Sequence, residues 1–314
     1  MKEYVFGVDV GGTTIKMGLF GRDGELKEKW EIPTDTSDAG ANILQNISDA
    51  VHAKISEKGI DVQKVAGIGV GIPGPVDSHG VVNRCVNLGW GVVAIEEELK
   101  KLSGFPVKAG NDANVAAMGE AFIGAGRGAD SIVMITLGTG VGAGIIVDGR
   151  ILAGHNGAAG ECGHIHVMDN EPEACGCGNH GCLEQYASAT GVVRMANRML
   201  ADSDEVSALR DLDEITAKDV FDAAKDGDAF AAKVVSEVCE ILGKAIAKIC
   251  NVINPEMVVI GGGVSQAGQI LLNEMDEAFR TEVFPGSRDT EIALATLGND
   301  AGIFGGAGMV LREL

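Results

Sequence analysis

Positive charge is scarce in this chain. Only 25 lysines and arginines stand against 45 aspartates and glutamates, a formal net charge of −20, and no Lys/Arg-rich run relieves it. Binding a polyphosphate chain needs a basic face, so no nucleic-acid partner is expected. Long apolar runs are missing too: nothing approaches the roughly 18 residues of a membrane-spanning helix, so no membrane partner is expected. The opening MKEYVFGVDVGG carries Glu3 and Asp9 and runs directly into a strand pattern, unlike a signal peptide. Seven cysteines is an odd number for a disulfide framework, and Cys85, Cys162, Cys239 and Cys250 are scattered, so a reducing, cytoplasmic setting is expected. Aromatic residues reach only 4%, whereas glycine reaches 46 residues without a collagen-like period. That much glycine implies many tight turns where backbone must approach something closely.

What is present is an ordinary globular balance, 46% hydrophobic and 22% charged, over 314 residues, enough for two lobes with separate cores. The first segment, YVFGVDV–GGT–TIKMGLF–GRDG–ELKEKWEI, reads as three β-rich runs divided by glycine turns, an antiparallel meander. The pattern returns at residues 131–152, SIVMITL–GTGV–GAGIIV–DG–RIL. In both, an apolar strand enters a Gly/Thr turn, leaves as a second strand and turns back at Asp23-Gly24 or Asp148-Gly149. Any two glycine-rich hairpins look alike, but three features matching in order favour an internal duplication and two similar lobes. Helical patterns follow each meander. Residues 38–58 place Ile43, Ile47, Ala50, Val51 and Ile55 on one face, and a strand, VAGIGVGI, then ends at Pro73 and Pro75. Residues 228–255 read as a long apolar helix stopped before Pro255, followed by the strand MVVIGGGVS and a helix from about Ser265. A last helix over residues 300–312 is rich in Gly and Ala, which implies close packing, back on the first lobe. Alternating helices and strands indicate an α/β architecture with helices on the sheet faces.

Two loops invite a ligand. DVGGTTIK (9–16) and LGTGVG (137–142) lack the GKS or GKT of a P-loop, and the residues after the second continue as a strand instead of opening a helix. Each alone is a plain hairpin. Together they offer exposed backbone N–H groups and threonine hydroxyls, which suit the β- and γ-phosphates of a nucleotide. Asp9 is placed to hold Mg²⁺, directly or through water, and Lys16 adds positive charge. VVIGGGVSQ makes a third turn at a strand's carboxyl end, a place for an adenosine. In NDAN (111–114), Asn111 or Asp112 either caps the following helix, or Asp112 serves as a base for a hydroxyl attacking phosphorus; spacing does not decide.

Glu161 and His164 precede the cluster Cys175-x-Cys177-x₄-Cys182, with Glu184 just beyond. Three thiolates with His164, His166 or His180 make a closed structural zinc set, and the single residue between Cys175 and Cys177 argues against a thioredoxin-like redox centre. A packed, metal-free cluster is the plainer alternative.

The ordered set DVGGTTIK, GIGVGIPGPVD, NLGW, NDANVAAMGE, LGTGVGAGIIVDG, GAAGECGHIHV, CGCGNHGCLEQYAS and VVIGGGV resembles the ROK family (repressors, open reading frames and kinases), and within it the bacterial glucokinases. The resemblance covers the chain from end to end. It implies a two-lobed actin-like, ribonuclease-H-like ATPase fold with duplicated meander/α units and a central cleft. The smaller lobe would hold residues 1–109 plus the helix at about 300–314, and the larger lobe residues 110–299. It implies phosphate contacts from Gly11, Gly12, Thr13, Thr14 and Lys16 and from Gly138, Thr139 and Gly140, with Asp9 acting through Mg²⁺. Gly261, Gly262 and Gly263 would lie near the adenosine of ATP. Asp112 would be the general base, and Asn111, Glu161, His164 and Glu184 would bind sugar hydroxyls, with Gly74 and Asn87 as further sugar-side candidates. His164, Cys175, Cys177 and Cys182 match the family's zinc ligands. The activity implied is phosphorylation of a hexose by ATP, glucose first. N-acetylmannosamine kinase, other amino-sugar kinases and fructokinase share these motifs. A sugar-sensing repressor is the non-enzymatic alternative, but strand residues starting at Tyr4 leave no room for a DNA-reading domain. The family also implies a homodimer or homotetramer.

Overall fold

The computed structural model describes residues 1–314. The chain opens with β1 (Tyr4–Val10), β2 (Thr14–Gly21) and β3 (Leu26–Pro33), then α1 (Ile43–Lys58) and β4 (Val65–Ile72). A short pair, β5 (Val81–Val82) and β6 (Val93–Ala94), leads to α2 (Ile95–Ser103), β7 (Val107–Asn111) and α3 (Asp112–Phe122). The second meander is β8 (Ile132–Leu137), β9 (Val141–Val147) and β10 (Arg150–Ile151). After an irregular stretch come α4 (Glu184–Ala187), α5 (Ala189–Ala201), α6 (Ala217–Lys225), α7 (Ala229–Ile253), β11 (Met257–Gly261), α8 (Gln269–Glu282), β12 (Glu291–Leu294) and α9 (Ala301–Leu311).

Both expected meanders form, and each lies in a five-stranded sheet of the same plan. The orders are β3-β2-β1-β4-β7 and β10-β9-β8-β11-β12, so a meander is extended in each case by two later strands on its first-strand side. In the first sheet β1 pairs antiparallel with β2 and parallel with β4, and β4 pairs parallel with β7. Residue pattern follows position. β4, VAGIGVGI, is buried at every residue, as a parallel strand covered on both faces must be, whereas β3, LKEKWEIP, alternates half-buried and exposed as an edge strand does. The turns differ in detail. Asp148 and Gly149 both have positive φ (49° and 72°), the two-residue primed turn that matches strand twist, whereas at Asp23-Gly24 only Gly24 does (81°).

Contacts divide the chain into two compact units. One comprises Met1–Ile132, Gly144–Gly160 and Thr296–Leu314; the other comprises Val133–Ala143 and Glu161–Ala295. The contact boundaries thus fall after Ile132, where the sequence reading places one after residue 109.

Within the first unit α1 covers one sheet face, with Ile43, Ile47 and Val51 against Phe6, Val8, Ile15 and Met17. The other face packs on α9 through Val5, Phe20, Ala66, Ile303, Ala307 and Val310. Glycine allows this second contact: a Cβ at Gly69 would lie inside the Gly306 backbone, and one at Gly305 inside Val115 of α3. The small residues of α9 thus serve strand and helix neighbours at once. Two helices begin later than the apolar pattern predicts. Asp38 and Ala39 adopt positive φ in a short 3₁₀ turn, so α1 starts at Ile43, and Gly268 (φ 77°) separates a 3₁₀ turn over Gly263–Ala267 from α8. No helix is long and apolar enough to cross a membrane.

Candidate functional site

The first unit gathers its candidate residues at the carboxyl ends of three adjacent parallel strands, where α/β sheets characteristically bind ligands. Asp9 near the end of β1 pairs in register with Gly71 of β4, and Gly71 with Gly110 of β7, so Asn111 and Asp112 follow on the same edge. Asn111 is the N-cap of α3: its side-chain oxygen accepts hydrogen bonds from the amides of Ala113 and Asn114 (3.0 and 3.2 Å). Its amide nitrogen donates to the Gly74 carbonyl and to Asp112 Oδ1, both at 3.0 Å. Asp112 Oδ1 also accepts from the Ala113 amide at 2.8 Å. The cap and the carboxylate are therefore two residues, and Asp112, exposed at the first helical position, is oriented by its neighbour.

Asp9 is partly buried against α9, where a Cβ at Gly302 would come within 2.6 Å of its Cγ. Burial raises its pKa above the ordinary aspartate value; Lys16 opposes that rise and the charge of Asp112 adds to it. The ionised form at this place gains from an added cation, as a Mg²⁺ site requires. The first glycine turn is closed by the Gly11 amide on the Thr14 carbonyl (3.0 Å) and braced by the Thr34 hydroxyl on the Gly11 carbonyl (2.7 Å). Gly12 and Thr13 are exposed, and a Cβ at Gly12 would meet no protein atom within 4 Å. Packing thus does not require glycine there; its missing side chain keeps the backbone approachable. Lys16 Nζ donates to the Asn299 carbonyl (3.0 Å), and Asn87 is exposed on the 3₁₀ turn Val86–Leu88. Cys85, buried beside Gly74, feels the charge of Asp112, a neighbour the sequence reading missed.

The second unit holds the other turn and the cysteines. The Gly138 amide bonds the Gly140 carbonyl (3.0 Å), and Thr139 is exposed. A Cβ at Gly138 would meet nothing within 4 Å, and one at Gly140 would lie 2.8 Å from Glu184 Oε2, so this turn and the Glu184 carboxylate are neighbours. Gly261 ends β11, and Gly262 (φ 85°) and Gly263 follow it exposed.

His164, Cys175, Cys177 and Cys182 place one ligand atom each within 4.8 Å of one another. Cys177 and Cys182 Sγ are 3.7 Å apart, and Cys175 Sγ is 3.7 Å from His164 Nδ1. A tetrahedral site with zinc–sulfur bonds of about 2.3 Å and zinc–nitrogen bonds of about 2.0 Å needs separations of about 3.5–3.8 Å. The donor set fits zinc. Burial pushes the Cys175 thiol up to about 12, so a thiolate there needs a cation to hold it. Spacing alone left three histidines open, and topology separates them. The ring nitrogens of His166 lie 3.0 Å from the His180 carbonyl and from Asp169, and His180 Nδ1 is 2.8 Å from the Glu171 carbonyl. His164 turns Nδ1 to the sulfurs, with Nε2 3.9 Å from the exposed Glu161. Glu184 Oε1 lies 2.9 Å from Cys175 Sγ and 3.6 Å from His164 Nδ1.

The sequence reading also missed an ion cluster built on the buried Glu171 beside this loop. Glu171 accepts from both terminal guanidinium nitrogens of Arg198 at 2.8 Å and from the Tyr186 hydroxyl. Arg198 holds the Glu171 carboxyl well below the usual carboxylate range, and burial pushes the Tyr186 hydroxyl up to about 12. Arg194 and Arg198, four apart on one helix face, were the visible trace.

The family model described as "ROK family" matches residues 5–313. A glucokinase from Halalkalibacterium halodurans is 46% identical over 316 residues, covering 99% of this chain and 96% of the relative. Among solved structures, a ROK hexokinase from Thermus thermophilus shares 31% identity at a TM-score of 0.81, covering 99% of this chain and 98% of that one. A ROK family glucokinase from Streptomyces griseus, solved with glucose and AMPPNP, shares 33% identity at a TM-score of 0.71 over 98% of both chains. Similarity of this extent makes the chain a member of the ROK family with the actin-like, ribonuclease-H-like fold of its sugar kinases.

Proposed function

We propose that this chain is an ATP-dependent glucokinase that transfers the γ-phosphoryl group of ATP to O6 of glucose. Full-length likeness to glucokinases supports the substrates. The observation that carries the chemistry is Asp112, an exposed carboxylate held by Asn111 and the Ala113 amide on the strand edge it shares with Asp9. Phosphoryl transfer needs alignment and charge neutralisation more than covalent help from the protein. Asp112 accepts the proton of the sugar hydroxyl as it attacks phosphorus, a general-base role worth about 10²–10⁴ in rate. The amides and hydroxyls of Gly11, Gly12, Thr13 and Thr14 and of Gly138, Thr139 and Gly140 receive the phosphates, Lys16 adds charge, and Gly261–Gly263 lie against the adenosine. Mg²⁺, when bound, neutralises phosphate charge, and Asp9 is the residue that would hold it.

Asn111, Glu161, His164 and Glu184, with Gly74 and Asn87, bind the sugar hydroxyls. His164, Cys175, Cys177 and Cys182 hold zinc as a structural element. With Nδ1 committed to the metal, the ring orientation of His164 is fixed and Nε2 remains for a hydroxyl. The setting is cytoplasmic and the assembly a homodimer or homotetramer, which light scattering on the eluted protein would read directly.

A coupled ADP-release assay with Mg-ATP and glucose, mannose, fructose, N-acetylglucosamine or N-acetylmannosamine tests the proposal. The highest kcat/KM is expected with glucose. A higher value on an amino sugar would reassign the substrate, and turnover of none would overturn the kinase reading.

A further inference from the structure

We infer that Glu171 is a positioning residue: through Arg198, Arg194 and Gln185 it sets the backbone that presents Glu184 and closes the cysteine loop. The sugar part of this inference rests on the kinase reading. The Glu171 side chain is only 1% exposed, yet it faces two arginines and a tyrosine hydroxyl. Arg198 also donates to Glu173 Oε1 (3.0 Å), and Arg194 donates to Glu173 Oε2 (3.2 Å) and to the Gln185 carbonyl (2.6 Å). Gln185 closes the circuit, accepting from the Cys182 amide and donating to the Glu173 carbonyl, both at 3.0 Å. The residues entering the loop before Cys175 are therefore tied to those leaving it after Cys182 without any use of sulfur.

A metal alone would not do this. Zinc fixes the tip of Cys182, two residues and several rotatable bonds before Glu184, and α4, which starts at Glu184, has only four residues. The arginines belong to α5, whose first turn makes further ties. Ser188 Oγ donates to the Glu184 carbonyl (2.6 Å), the Ala189 amide to the Gly138 carbonyl (2.8 Å) and Thr190 Oγ1 to the Thr139 carbonyl (2.7 Å). One helix thus grips the cysteine loop with its arginines and the second glycine turn with its N-terminus.

The test uses the full-length, zinc-loaded protein with Glu171→Gln, Glu171→Asp, Arg198→Lys and the double change Glu171→Met/Arg198→Met. The double change replaces the buried Glu171 carboxylate and its half-buried arginine partner with apolar side chains, an exchange that for buried pairs often preserves stability. Zinc release to a chromogenic chelator, KM for glucose and for ATP, kcat and Tm are measured together. Residues that support a metal's ligands typically change affinity or activity by about 10–100-fold, so zinc release at least about tenfold faster and a glucose KM raised by about as much are expected. The ATP KM should hold, the double variant should melt close to the parent, and Glu171→Asp and Arg198→Lys should fall between parent and Glu171→Gln. A purely structural role would instead make the glucose KM follow Tm. If Glu171→Gln does not fold, the double variant decides, and if that fails too, Tyr186→Phe should show a smaller shift of the same kind. A folded, zinc-loaded variant with the parent's glucose KM and zinc release rate overturns the inference. Zinc release needs no turnover, so it judges the loop even if glucose proves not to be the substrate.

Discussion

Asp112 and Glu184 are both carboxylates proposed to meet the acceptor sugar, yet the chain holds them by opposite means. Asp112 stands at the joint between a parallel strand and an eleven-residue helix, and its position follows from hydrogen-bonded backbone and one N-cap. Glu184 opens a four-residue helix after a stretch from residue 152 whose only regular element is the 3₁₀ turn Cys162–His164. There the backbone must be cross-linked from outside, by the proposed zinc ligands on one side and an ion cluster on the other. A strand-to-helix joint positions a group by folding; an irregular loop needs ligands and charges to do so. Substitutions at Asp112 should accordingly cost chemistry and little structure, and those around Glu184 should cost structure first.

The sharpest test of that contrast is Asp112→Asn. It should lower kcat by about 10²–10⁴-fold, the usual worth of a positioned base. Glucose binding by calorimetry and Tm should stay near the parent's, because Asn111 supplies the cap. Near-normal kcat would remove Asp112 as the base, and a collapse of Tm would erase the distinction between the two carboxylates.

The opposite pattern is expected at the cysteines. Elemental analysis should find about one zinc per chain, and exhaustive chelation or Cys177→Ser should lower Tm and weaken glucose binding about tenfold or more. Cys177 is exposed, so its substitution removes a ligand without opening a core cavity. A chelated protein with the parent's glucose affinity would show that the ion cluster alone suffices to hold Glu184.

The packing that supports Asp112 can be broken without touching the site. Gly305→Ala improves helix propensity by about 1 kcal/mol on an open helix. Here its Cβ enters the Val115 backbone of α3, the helix that carries Asp112 at its start, so overpacking of about 1–3 kcal/mol should win. A fall in Tm of several degrees is expected; a rise would mean that α9 and α3 are not so tightly seated.

Much of this arrangement was legible in the residues. The meanders announced themselves through Gly/Thr and Asp-Gly turns, and the core face of α1 through its helical period, with Ile43, Ile47 and Val51 all fully buried. The starts of α1 and α8 were drawn too early, because apolar period does not see positive φ at Asp38, Ala39 and Gly268. The cysteine cluster stood out by local spacing, whereas the choice among His164, His166 and His180 depended on where irregular backbone turns each ring. Whether Asn111 or Asp112 capped α3 was undecidable from spacing, since both residues suit a cap and only backbone geometry selects one. Glu171 and Arg198 were invisible as a pair: they lie 27 positions apart across a cysteine loop, and the two arginines four apart on α5 mark a cluster without naming its buried partner.

The smallest effect expected lies at Asp9, and it tests whether the regular part of the molecule is free of strain. Asp9 has its folded-state pKa raised, chiefly by burial and further by Asp112, with Lys16 in opposition. A group whose pKa is raised on folding binds protons more readily when folded, so its favourable contribution is complete below the unfolded value and is lost as pH rises through the folded value. At neutral pH the ionised carboxylate therefore weighs against the fold. Asp9→Asn removes that ionisation at nearly constant shape, so Tm at neutral pH should rise by a few degrees at most, and the gain should vanish toward the acid end of a pH series. The same change should depress kcat/KM with Mg-ATP, and in the parent added Mg²⁺ with nucleotide should raise Tm by more than it does in the variant. A variant less stable than the parent at neutral pH would mean that the ionised carboxylate is already compensated within the protein, and the argument for a cation at Asp9 would fall with it.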